Sequence, residues 1–153
     1  MQSRVIQFFT GSAAGLLLAT AGAKFFSGTG NARVLETADP ILGLSLRCTL
    51  WVAAAAELLV ALNCLFGKRV RVQAVLLAWL ATSILLYRLG LLWIGYRKPC
   101  NCLGYLTDII HISPQAADTI MKATLTYLLI GSYATLAWLW RQSRRTKNEA
   151  LLV

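Results

Sequence analysis

Cys100 and Cys102 stand one residue apart in Lys98-Pro99-Cys100-Asn101-Cys102-Leu103-Gly104, a polar connection between long apolar runs. A thiolate is both a nucleophile and a soft-metal ligand, so such a pair points to thiol–disulfide exchange or to metal binding. The bland alternative is a static bridge or two inert thiols. A bridge between residues this close closes a small ring, and strain makes a disulfide exchangeable rather than structural. Pro99 stiffens the approach. Arg97 and Lys98, together with Arg88 on the preceding run, favour the thiolate electrostatically. Redox exchange is therefore the preferred reading, with either cysteine as attacking thiolate and the other as resolving thiol; soft-metal binding ranks last. Cys48 and Cys64 lie sixteen residues apart on one apolar run, about 24 Å along a helix, and cannot bridge each other there. Each is read as a small buried hydrophobe, with Cys48 near enough to the loop end to be a third thiol.

The second set of informative residues is charged and lies inside apolar runs. Glu57 sits deep in the second run, Arg47 near its start and Arg88 towards the end of the third. Ionisable groups at such positions are costly, face the interior and find partners. Arg47 is expected to snorkel to the interface, while Glu57 and Arg88 are expected to hold a polar bundle interior without a direct pair being assigned. Lys24 and Lys122 are expected to be interfacial anchors. With Arg88 and Arg97 they also make one mouth of the bundle electropositive, a field that suits a thiolate, an anionic ligand or the oxygen of a quinone gaining negative charge. His111, the single histidine, is read as a solvated loop residue. Trp79, Ser83 and Tyr87 recur at four-residue spacing and are assigned to helix packing.

The elements that must position these groups are membrane helices. Of 153 residues, 58% are hydrophobic and 14% charged, and the mean hydropathy is +0.62, outside the range of ordinary soluble domains. Four runs match the roughly 20 residues that a helix needs to cross a bilayer core: about 5–26, 41–66, 72–96 and 117–140. The expected fold is all-α, a single four-helix transmembrane bundle with a cysteine-containing extracytoplasmic loop and a basic cytoplasmic tail over 141–153. The net charge of +9 sits at the ends of the runs, which is the membrane-flank pattern and not a nucleic-acid footprint. Arg4 and Ala21-Gly22-Ala23 give the first run the look of a secretory signal. Gly11, Gly15, Ala19 and Gly22 instead suggest the small-residue face of a retained, packed helix, the preferred reading. Asp39-Pro40 and Ser113-Pro114 read as N-cap and first-turn proline of the second and fourth helices. Gly67 to Arg71 is a tight hairpin turn, and Thr107 to Ile112 a short interfacial turn above the cysteines. Basic residues divide eight (Arg4, Lys68, Arg69, Arg71, Arg141, Arg144, Arg145, Lys147) against five (Lys24, Arg33, Arg97, Lys98, Lys122). That asymmetry puts both termini in the cytoplasm and the cysteines on the oxidising side.

Ala23-Lys24-Phe25, Asp39-Pro40, Glu57-Leu58, Arg88 and Cys100-Asn101-Cys102-Leu103-Gly104 together resemble the DoxX-like superfamily, in the branch around the methylamine-utilisation protein MauE. The Cys-x-Cys-hydrophobic-Gly element after the third span is the specific part. The resemblance implies a redox-associated protein of the bacterial inner membrane that supports the maturation of a disulfide-rich periplasmic partner. The layout is also similar to vitamin K epoxide reductase and DsbB-type oxidases; the candidate electron acceptor for this chain is a quinone. Those use Cys-x-x-Cys with a second pair on another loop, whereas Ser27 to Asp39 here contains no cysteine. The alternative function is a non-catalytic assembly subunit whose disulfide clips the loop.

Overall fold

The computed structural model describes residues 2–30, 33–95 and 114–150. Cys100, Cys102, Arg97, Lys98, His111 and the turn expected over 107–112 lie outside the described residues. The described chain is helical: α1 (Gln2–Thr29), a single 3-10 turn (Arg33–Glu36), α2 (Leu46–Phe66), α3 (Val70–Trp93) and α4 (Pro114–Ala150). All four α-helices are long and apolar enough to cross a membrane, over Arg4–Thr29, Leu46–Phe66, Val70–Trp93 and Asp118–Arg145. α2, at 21 residues, is about 32 Å long and matches a hydrocarbon core of about 30 Å.

α1 packs most extensively on α2, and α3 on α4. The shared core is built from Ala13, Ala14 and Leu17 of α1, Val60, Ala61 and Cys64 of α2, Leu77, Leu80 and Ala81 of α3, and Leu125 and Leu128 of α4. Alanine recurs at these contacts because lipid tails solvate leucine as well as another helix does. Close backbone approach and dispersion, not burial from water, must hold such helices together. The outward faces carry the large apolar residues, among them Phe8, Phe66, Leu59 and Ile130.

The two ends of the bundle differ. At the hairpin end lie the start of α1, the α2–α3 turn and the end of α4. Gln73 closes the turn: its buried Nε2 donates to the Gly67 carbonyl at 2.7 Å and reaches the Cys64 and Asn63 carbonyls at 3.3 and 3.4 Å. The Asn63 carbonyl also accepts from the Gly67 N–H at 2.8 Å; at the Cys64 and Gly67 carbonyls the side chain satisfies what the helix end leaves over. At the loop end lie the end of α1, the start of α2, the end of α3 and the start of α4.

Several expectations are corrected. The second helix starts at Leu46 rather than at residue 41, and its N-cap is Ser45, whose hydroxyl accepts from the Cys48 N–H at 3.3 Å. Asp39 caps a separate turn, accepting from the Ile41 and Leu42 N–H groups at 2.9 and 3.0 Å. Gly43, at φ +65°, then reverses the chain, a conformation that costs glycine nothing. The fourth helix runs from Pro114, its expected first-turn proline, through the basic tail to Ala150. Cys64 is buried as expected, but Cys48 is exposed. Trp79, expected in helix packing, is 61% exposed.

The small-residue stripe of α1 is also not where helices meet. Gly11, Gly15 and Ala19 are exposed, and a Cβ at Gly11, Gly15 or Gly22 would have nothing within 4 Å. The close approaches occur at Gly131, where a Cβ would overlap the Phe9 ring, and at Gly28, where it would overlap the Trp51 indole. We therefore expect Gly131→Ala to destabilise the protein by about 1–3 kcal/mol through overpacking. Gly11→Ala and Gly15→Ala should stay within about 0.5 kcal/mol of the parent. Thermal or denaturant unfolding in a zwitterionic detergent measures the difference; equal costs at all three positions would contradict the packing.

Candidate functional site

Glu57 lies eleven residues from the start of α2 and nine from its end, close to the middle of the span. It is 2% exposed. Its Oε1 pairs with the ammonium of Lys24 on α1, itself 6% exposed, and its Oε2 accepts from the Thr20 hydroxyl at 3.0 Å. Helix geometry brings these groups together. Side chains lean towards the N-terminus of their own helix, so on antiparallel neighbours Lys24 and Glu57 lean towards each other. Lys24 is one residue more than a turn from the end of α1, and its tetramethylene stem carries the charge inward to the depth of Glu57. The interfacial-anchor expectation for Lys24 is thus overturned: its partner carboxylate is the single acid within α2, and the alternative is an uncompensated charge in the core. Lys122 does stand exposed, beside Asp118.

Arg88 does not join this pair. Its Nη1 donates to Asp118 Oδ1 at 3.3 Å, and the other oxygen of Asp118 pairs with Lys122 Nζ at 2.6 Å. Arg88 is largely buried, at 16% side-chain exposure, and its Nη2 has no hydrogen-bond partner among the described residues. Arg47 does not snorkel freely either. Its Nη2 donates to the Gly30 carbonyl at 3.1 Å, which clips the start of α2 to the end of α1.

Asp39 is the hub of the loop end. It is 1% exposed, caps its own turn through Oδ1, and accepts the Tyr87 hydroxyl of α3 on Oδ2. The turn is held by Asp39 N–H donating to the Leu44 carbonyl at 2.7 Å and by Gly43 N–H donating to the Asp39 carbonyl at 2.9 Å. Burial disfavours the carboxylate here, but the Tyr87 hydroxyl and the Leu42 and Ile41 amides outweigh it and hold the Asp39 carboxyl below the usual carboxylate range.

Of the residues singled out from sequence, Lys24 and Glu57 are joined, while Arg88 sits in a separate cluster towards the loop end. Cys100, Cys102, Arg97 and Lys98 lie outside the described residues, in the connection that links α3 to α4. Sequence reasoning missed Thr20 as a ligand of Glu57, Asp118 as the partner of Arg88, and the Asp39–Tyr87 bond. The signal for the Lys24–Glu57 pair was partial: both are ionisable residues within apolar runs, and Arg88 meets the same description. Comparison with protein-family models, with curated proteins and with solved structures finds no match to this chain.

Two outcomes follow from this geometry. Lys24→Met should destabilise the protein by about 3–5 kcal/mol, because it removes the ion-pair partner of a buried carboxyl group. Adding Glu57→Leu to it should recover most of the loss, since an apolar pair of similar volume suits the site. A double-mutant cycle on unfolding in detergent measures both, and additive losses would show that the two groups are not coupled. For Asp39 the depressed folded-state pKa means that its stabilisation is complete above the unfolded value, about pH 4, and is lost as pH falls through the folded value. The gap in thermal midpoint between the parent and Asp39→Asn should therefore be constant from pH 5 to 8 and shrink below about pH 4. A gap that persists in acid would contradict the assignment.

Proposed function

We propose that this chain is a membrane protein of thiol–disulfide redox, of the DoxX-like kind, whose Cys100/Cys102 pair exchanges with protein thiols on the extracytoplasmic side of a bacterial inner membrane, both termini being cytoplasmic. The observation that carries the reading is the Cys100-Asn101-Cys102 pair in the connection between two membrane helices. The loop end adds support, since Arg88, Asp118 and Lys122 lie close to where that connection leaves and re-enters the bundle. Arg97 and Lys98, beside the pair in the sequence, favour thiolate. Lys24 and Glu57 supply a neutral but polar interior.

In the oxidising direction, a partner thiolate attacks one sulfur of the Cys100–Cys102 disulfide. A mixed disulfide forms and the other cysteine leaves as thiolate. A second partner thiol, deprotonated, attacks the mixed disulfide, so that the partner gains a disulfide and Cys100 and Cys102 end as two thiols. Those two electrons and two protons then pass to a membrane quinone, which becomes the quinol. The reverse direction is the same exchange run backwards.

A second reading is favoured by the cysteine-free segment Ser27 to Asp39. Without a second pair to relay electrons inside the chain, the protein is an assembly subunit that supports maturation of a partner, and its disulfide clips the loop.

Trapping separates the two. Cys100→Ser or Cys102→Ser removes the resolving thiol in one of the two orders, so at least one variant should accumulate a reductant-sensitive adduct with a partner, visible by non-reducing electrophoresis. The double substitution should abolish it, and Cys48→Ser and Cys64→Ser should leave it intact. If neither single variant traps a partner and the parent pair resists reductant, the clip reading stands.

A further inference from the structure

The hairpin end of the bundle is a cationic collar. Arg4, Lys68, Arg69, Arg71, Arg141, Arg144 and Arg145 are all exposed there. Among the acidic side chains described, Glu36, Asp39 and Asp118 lie towards the loop end and Glu57 lies near mid-span. Charge bias of this kind orients a membrane protein, but α4 arranges part of it more specifically.

The buried face of α4 runs through Leu125, Leu128, Ser132 and Thr135. The opposite, exposed stripe follows a three–four spacing through Ile130, Tyr133, Ala137, Trp140 and Arg144. Arg144 therefore continues the lipid-facing stripe one turn beyond the apolar residues and does not turn back over the bundle. Its guanidinium lies 3.8 Å over the Trp140 ring, a cation–π contact that holds it beside an exposed indole. Arg141 and Arg145, one helical turn apart, flank the same stripe and are exposed. From Asp118 to Trp140 the helix covers about 33 Å, the thickness of the hydrocarbon core. Trp140 then marks the interface, where indoles concentrate, and the three arginines fall at headgroup depth, facing outward.

We infer that Arg141, Arg144 and Arg145, with Trp140 as their platform, form a binding surface for the phosphate groups of anionic phospholipids. The fork of a guanidinium matches phosphate oxygens, and the stripe places acyl chains against Ile130, Tyr133 and Ala137 while the phosphate meets the arginines. This inference is independent of the redox reading and of the loop cysteines.

The test uses the full chain reconstituted in phosphatidylcholine bilayers, with spin-labelled phosphatidylglycerol and phosphatidylcholine as probes. The ratio of their association constants at the protein surface is the readout. The parent should prefer phosphatidylglycerol several-fold, and less so at high salt. Replacing Arg141, Arg144 and Arg145 by Gln should remove most of this preference and bring the ratio close to unity. Arg144→Gln alone, read in the same assay, decides the matter if the triple variant does not fold, and Arg144→Lys, which keeps the charge without the fork, should retain only part of the preference. An equal association of both lipids with the parent, or an unchanged preference in Arg144→Gln and the triple variant, would overturn the site. Displacement of labelled phosphatidylglycerol by millimolar inorganic phosphate would reassign it to a soluble anion.

Discussion

A carboxylate near the middle of a membrane helix is the constraint on which the rest of this bundle depends. Glu57 cannot be hydrated there, and an isolated charge in that medium is very costly. Lys24 and Thr20 meet it from α1. Satisfying one carboxylate with two groups a helical turn apart fixes the register of α1 on α2. The same register places Gly28 under the Trp51 indole, stacks Phe25 on Trp51 with ring centroids 6.2 Å apart, and brings Arg47 to the Gly30 carbonyl. Dispersion between alanine-rich faces supplies attraction but is tolerant of sliding; the ion pair is not.

The second pair of helices is registered by different means. Arg88 and Asp118 join α3 to α4 near the loop end, and the Thr82 and Tyr133 hydroxyls meet at 2.9 Å further along. Asp39 ties the segment before α2 to α3 through Tyr87, while Gln73 closes the opposite end by satisfying leftover carbonyls of α2. α1 and α4 touch more lightly, through Phe9, Ser12 and Tyr127. The bundle is thus two strongly joined helix pairs, stitched by polar side chains at both ends of α2 and α3. Polar groups are the specific contacts here because lipid offers them no alternative partner.

Charge is distributed to suit. At the loop end Asp118 is shared by Arg88 and Lys122, Asp39 is held by the Tyr87 hydroxyl and two amides, and Arg47 is held by the Gly30 carbonyl. At the hairpin end the bases are exposed and unopposed over the described residues, apart from what the bilayer surface provides.

The sequence alone determined the helical, membrane-spanning character, since runs of about 20 apolar residues have no other satisfactory backbone pairing in lipid. It also determined the α2–α3 hairpin, the proline at the start of α4, the burial of Cys64 and the presence of polar groups inside the bundle. Each of these is local, or follows from composition. Tertiary structure decided which charges meet. Arg88 and Lys24 were equally available to Glu57 on composition, and only the antiparallel register of α1 and α2 selects Lys24. It decided too that the Gly11–Gly15 stripe faces outward while Gly131 and Gly28 take the close contacts, because small residues permit an approach without specifying the partner. The start of α2 escaped the local signal for a related reason. Asp39-Pro40 does cap a turn, but Gly43 reverses the chain after it, and Ser45 then offers the second cap that the long helix uses.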